Sequence, residues 1–262
     1  MTEELNLQPD VPRFGIGTAL AAAFQAIGRG LVPFLVVLVG IGAALFGVMF
    51  WAVERLANQP AAGQSWIEWV PVASSTIGDA LLNAFVTGLA LSAIEDGRAD
   101  WRRAIARVPM VILPMALVSA VYAMIARFGI PGLPLPAAVP LTLAIGVFTW
   151  LYCSTLVREG GGPLSAMRRN LELSQGHRWR ILALLVMVAV SYAVLAFGGG
   201  AVLGVFYAMW QVPIPALGPY AVDLAVMLLL NAFVYVTAAA SYHMLRYEKD
   251  GPKQAELAGV FD

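Results

Sequence analysis

His177 and His243 are the two side chains best suited to moving a proton near neutral pH. His177 stands in "GHRWR" beside Arg178, Trp179 and Arg180, with Glu159 and Glu172 upstream. A hydrolase would need those carboxylates to converge on the imidazole beside a nucleophile, and no nucleophile motif accompanies them. The run "EGGGP" at Glu159 to Pro163 lacks the lysine of a phosphate loop and suffices as the lead into a helix. Cys153 is the only cysteine, which excludes an intrachain disulfide and a multi-cysteine metal cage. It reads as a small packing residue in an apolar segment. Both histidines adjoin charged segments, which argues against haem or chlorophyll held at mid-membrane depth. These residues lead us to expect no enzymatic reaction, no metal and no cofactor.

The remaining polar candidates lie inside apolar runs. "LLNAFV" occurs at Leu81 to Val86 and again at Leu229 to Val234, so Asn83 and Asn231 occupy matching positions. Asp79 and Thr87 lie one helical turn to either side of Asn83 on the same face. An amide in lipid is satisfied by a neighbouring helix, or it lines a polar path through a bundle; both readings stay open here. Asp79 and Asp223 are expected in the first turns of their helices, where the positive end of the dipole favours an acid. Ser74 and Ser75 are the expected caps before Asp79.

The elements that must carry these residues follow from composition. Of 262 residues 60% are hydrophobic and 12% charged, with a mean hydropathy of +0.77; a soluble domain carries about a quarter charged residues. This is an integral membrane protein. A net charge of zero gives no basic field for nucleic acid. The opening "MTEELNLQPDVPRFG" has neither the basic start nor the short apolar core of a secretory signal, so the first span is expected to insert the chain.

Roughly 20 apolar residues cross a hydrocarbon core, and six segments qualify: residues 31–52, 75–95, 108–128, 139–157, 181–210 and 218–243. With both termini inside, Arg13, Arg29, Arg98, Arg102, Arg103, Arg107, Arg158, Arg168, Arg169, Arg178, Arg180, Arg246, Lys249 and Lys253 are inner, and only Arg55 and Arg127 are outer. The positive-inside rule then places both ends in the cytoplasm, and the bacterial inner membrane is the expected location. Trp51, Trp66, Trp69 and Trp210 fall at the outer boundary and Trp101 and Trp179 at the inner one, as amphipathic rings prefer. Outer loops such as "IPGLPLPAAVP" and "QVPIPALGP" read as short rigid turns. The fifth segment is longer than one crossing and holds Gly198, Gly199, Gly200 and Gly204. Either a tilt with Gly200 and Gly204 at a contact face takes up the excess, or the helix breaks and lines a cavity.

Register suggests repetition. Asn83 precedes Arg98, and Asn231 precedes Arg246, by fifteen residues in each case, about 22 Å along a helix. The same count back from Arg158 reaches Leu143, so one unit has no amide. "VPFLVVL" at Val32 resembles "VPMVILP" at Val108, and each follows an arginine and an amphipathic stretch. In "ADWRRAIARV" Trp101, Ile105 and Val108 form an apolar stripe; in "GPLSAMRRNLELSQGHRWR" Leu164, Met167 and Leu171 do so. "GTALAAAFQAIGRG" is a weaker version. The expected fold is an all-α integral membrane protein of six transmembrane helices, built as three two-helix repeats, each preceded by an amphipathic interfacial helix. Residues 1–14 are the expected cytoplasmic N-terminal tail, 15–246 the single membrane domain and 247–262 the cytoplasmic C-terminal tail. The repeat units span about 15–95, 98–157 and 162–246.

The segment "GPLSAMRRNLELSQGHRWRILALLVMV" resembles one found in bacterial six-helix membrane proteins, mostly uncharacterised, that are similar to the membrane domain of glycerophosphodiester phosphodiesterases and to the YciC-like proteins. Asn170 stands where a serine is common in that outline, and the 262 residues include no phosphodiesterase domain. The resemblance implies a fold and supplies no catalytic residue.

Arg102, Arg103, Arg107, Arg168, Arg169, Arg178 and Arg180, with Trp101 and Trp179, are the expected contacts to lipid headgroups or a partner. The sequence favours a non-enzymatic accessory, assembly or scaffold component that binds membrane lipids and other integral membrane proteins. The alternative is a transporter or channel for a small solute or lipid, resting on the repeats and the two asparagines.

Overall fold

A computed structural model describes residues 13–58, 69–128, 135–210 and 218–251. Among them the chain forms nine helices and no strand: α1 (Ile16–Arg29), α2 (Leu31–Asn58), α3 (Trp69–Glu95), α4 (Trp101–Phe128), α5 (Leu135–Thr149), α6 (Tyr152–Glu159), α7 (Pro163–Ser174), α8 (Arg178–Trp210) and α9 (Gly218–Asp250). Six stretches are long and apolar enough to cross a membrane: Leu31–Ala52, Trp69–Glu95, Trp101–Ile125, Pro140–Glu159, Arg178–Leu195 and Leu224–Asp250. Without water in the hydrocarbon, backbone groups must bond within the segment, which is why the apolar runs are helical.

Helix α3 is the axis of the bundle, packed against α1, α2, α4, α6 and α9. Its buried positions run without a gap from Val86 to Ala93, so it has no lipid-facing stripe there. Small residues set its crossings. A Cβ on Gly78 would lie 2.7 Å from Leu45 of α2, and one on Gly88 3.1 Å from Ala104 of α4; hydrogen in place of a side chain lets these helices approach. By contrast α2, α4 and α8 expose large apolar side chains, among them Val39, Leu113 and Val194, as lipid contact requires.

Several expectations are corrected by this architecture. The stretch "ADWRRAIARV" is not a separate helix in front of a span; it forms the first turns of α4 itself, with Ala104 buried and Ile105 exposed. In α7 the buried positions are Ala166, Asn170, Leu173 and Ser174; of the stripe Leu164 is exposed, while Met167 and Leu171 are partly buried and Met167 packs against the core. The fourth span is divided at Trp150 and Leu151 into α5 and α6. The fifth runs as one unbroken helix through its glycines. Phe14 is buried in the core, and α9 continues to Asp250.

One end of the bundle gathers the charges. Arg158 pairs with Glu95 (2.9 Å), Arg169 with Glu159 (3.3 Å) and with Asp250, and Arg103 with Asp96 (2.5 Å). Phe14 N–H donates to Glu248, and Lys249 donates to the carbonyls of Glu172 and Gln175, tying the N-terminal stretch, α7 and the end of α9 together.

Candidate functional site

Helix α3 begins at Trp69, six residues before the expected start, and this moves Asp79 to its eleventh residue. The carboxyl is thus about 15 Å inside the helix rather than at its first turn. Ser74 and Ser75 are inside α3 too, and their hydroxyls bond back to the carbonyls of Pro71 and Val72 (3.0 Å each) instead of capping. Asp223 is the sixth residue of α9; its side chain lies outside the described residues. Trp66 and most of the two quoted outer loops also lie outside them.

Asp79 is half-buried and is met by hydrogen-bond donors from two other helices. Ser119 Oγ of α4 donates to Oδ2 (2.6 Å), Tyr235 Oη of α9 donates to Oδ1, and Asn231 Nδ2 lies 3.5 Å from Oδ1. Asn83, only 8% exposed, accepts from Thr87 Oγ1 at 3.1 Å. The asparagine of one "LLNAFV" copy therefore bonds within its own helix, while the other reaches across to α3. Among the described residues Asn83 Nδ2 and Asn231 Oδ1 have no partner.

These groups line a cavity of about 610 Å³ walled by α3, α4, α5, α6, α8 and α9. Beside them stand Tyr122 and Thr149, whose hydroxyls bond at 3.0 Å, and Cys153. Much of the wall is apolar: Met115, Val118, Leu185, Val188, Met227 and Val234. Asn83, Leu143 and Asn231, the three positions found by counting fifteen residues back from an arginine, all face this one cavity. Asp79 is the sole described lining residue that is an Asp, Glu, Lys, Arg or His.

A polar residue to which the sequence reading gave no role holds the break between α5 and α6. Where α5 gives way to α6, Phe148 C=O and Leu151 N–H lose their helical partners, and Asn170 of α7 takes both: Oδ1 accepts from Leu151 N–H at 3.1 Å, and Nδ2 donates to Phe148 C=O. Asn170 is 0% exposed. A backbone group left bare in such surroundings costs several kcal/mol. The departure from serine at this position was the available signal, since an asparagine can donate and accept at once over a longer reach. Trp150, at the same break, lines the cavity, and its indole N–H is buried with no partner among the described residues.

The basic and aromatic candidates divide. Arg169 is held by Glu159, Glu172 and Asp250; burial works against its charge, but the bonds to Asp250 and Glu159 outweigh that and raise its pKa. Arg103 pairs with Asp96. Arg180 donates to Phe14 C=O, and Arg178 lies 5.1 Å from the Phe148 ring centre. Arg107 lies close to Gly160. Arg102 and Arg168 are exposed and make no ion pair among the described residues. Trp179 is 82% exposed, whereas Trp101 packs partly against the core. His177 does not join a hydrolytic set: its Nε2 is 3.5 Å from Glu248, a residue of α9, and its Nδ1 is buried without a partner among the described residues.

Comparison of the chain with protein-family models, with curated proteins and with solved structures finds no match.

Proposed function

We propose that this multi-pass membrane protein binds a small solute or a lipid-derived molecule in its intramembrane cavity and handles it as a transporter or channel does, without chemical change. The observation that carries this reading is that Asp79 and Asn83 of α3 and Asn231 of α9 face one open volume. Groups costly to bury are thus kept beside an open volume that a ligand can fill. Three register-matched positions on one cavity also support the reading of three two-helix repeats about an axis along the membrane normal. The charged end is then cytoplasmic, in a bacterial inner membrane, with α1 and α7 as interfacial helices and both termini inside. The resemblance to the six-helix proteins named above fits this layout.

Purification from native membranes, followed by extraction and mass spectrometry, tests the proposal. The natural chain should retain a small molecule that the Asn83→Leu/Asn231→Leu variant releases. Ala189→Trp, which adds volume at an exposed wall position, should release it too. Identical extracts from all three folded proteins overturn the proposal.

An accessory or scaffold role is a second reading, favoured by the exposed Leu164 and Trp179 (82% each) and by the exposed Arg168, which makes no ion pair among the described residues. Such side chains suit anionic lipid headgroups or a partner membrane protein. Recovery of the Trp179→Ala/Arg168→Ala protein with its usual lipids and companions would remove that support.

A further inference from the structure

Among its described lining residues the cavity holds one acid and no base. Asp79 receives donors from Ser119, Tyr235 and Asn231, all neutral groups, and no Lys, Arg or His appears among the described lining residues. At the charged end of the same bundle the carboxylates of Glu95, Asp96 and Asp250 each meet a guanidinium. Beside Asp79, the carbonyl Oδ1 of Asn231 accepts nothing from the described residues, so two acceptors, one of them anionic, stand together on the wall. The rest of that wall is dominated by Met115, Val118, Leu185, Val188 and Met227. A hydrated inorganic ion gains nothing from such side chains, whereas an apolar body attached to a cationic head is matched by both parts of the wall.

From this juxtaposition we infer that the cavity takes an organic monocation, an ammonium carried on an apolar skeleton, with Asp79 as its counter-charge and Asn231 Oδ1 as a second acceptor. The inference rests on the cavity being a binding site, as proposed above. Low dielectric makes the pairing selective: an ammonium gains more from a lone carboxylate there than at an exposed surface, and an anion is repelled.

Three probes of one shape test it: cyclohexylmethylammonium, cyclohexylmethanol and cyclohexanecarboxylate, in equilibrium binding to the full chain reconstituted in phosphatidylcholine vesicles at neutral pH. The ammonium should bind saturably and about tenfold or more tighter than the alcohol, with no saturable binding of the carboxylate. Asp79→Asn should remove the preference of ammonium over alcohol. Asn231→Asp, a second variant in case Asp79→Asn fails to fold, should strengthen ammonium binding and leave the alcohol unchanged. Equal binding of ammonium and alcohol, unaffected by either variant, overturns the cationic class while leaving the cavity a binding site. Displacement of the ammonium by sodium chloride but not by choline chloride at equal ionic strength overturns it in favour of an inorganic cation. Failure of all three probes to bind overturns this inference but not the reading beneath it, which the extraction experiment decides separately.

Discussion

Asn170 at the α5–α6 break and the pair Asn83 and Asn231 on the cavity wall are the same residue type put to opposite uses. Asn170 is wholly buried and spends both halves of its amide on backbone groups that the break sets free. Asn83 and Asn231 each spend one half, on Thr87 and Asp79, and leave the other open toward a cavity. A polar group inside an apolar bundle is structural when its hydrogen bonds are saturated by the chain, and is available for a ligand when they are not. Saturation, not residue type or depth, separates the two regions.

The contrast breaks most directly at Asn170. Asn170→Ala orphans a buried N–H and a partly buried C=O together, and should cost about 2–4 kcal/mol in equilibrium unfolding in mixed detergent micelles. A loss below about 0.5 kcal/mol would mean that the break is satisfied some other way, and the distinction drawn above would dissolve. Arg169→Met removes the shared partner of Glu159 and Asp250, whose surroundings are only partly exposed. Solvent screening reduces the effect, so about 1–2 kcal/mol is expected, shrinking with added salt.

At the cavity the expectation reverses in kind. Asn83→Ala and Asn231→Ala should each change stability by less than about 1 kcal/mol, since intramembrane side-chain bonds are individually weak. Their effect should show in what the purified protein retains. A destabilisation at Asn231 as large as at Asn170 would place both amides in the same structural class.

The six spans were legible because length and hydropathy are properties of single segments, and the two amides because a hexapeptide repeats. The depth of Asp79 was not: Ser74 and Ser75 read as caps, whereas they belong to α3 and their hydroxyls bond back to the carbonyls of Pro71 and Val72. The donors around Asp79 were hidden for a different reason. Ser119 and Tyr235 are ordinary residues until α4 and α9 bring them to α3, some 40 and 156 positions away in the chain. The role of Asn170 was hidden for the same cause, because its partners exist only where another helix stops. Spacing left the facing of the α7 stripe open: Leu164 and Met167 are both apolar positions of it, yet Leu164 is exposed while Met167 packs against the core.

His177 offers the smallest effect and the finest test of the saturation argument. Its Nε2 approaches Glu248 at 3.5 Å while its Nδ1 is buried beside the Phe14 ring without an acceptor among the described residues. Imidazolium must donate from both nitrogens, so burial disfavours the charged form. Desolvation lowers the pKa from its ordinary 6.5, Glu248 opposes that, and Arg180 and Lys249 add to it. The folded chain thus binds this proton more weakly than the unfolded chain does. Stability from this site is complete above the ordinary value of 6.5 and is lost as pH falls through it, because the unfolded state takes up a proton that the folded state resists. Unfolding measured on either side of that pH should show a modest decline toward acid for the natural chain, and a flatter profile for His177→Gln. An equal slope in both proteins would assign the acid sensitivity to the carboxylates of the charged end, and would show that an unsatisfied nitrogen at this surface carries no measurable penalty.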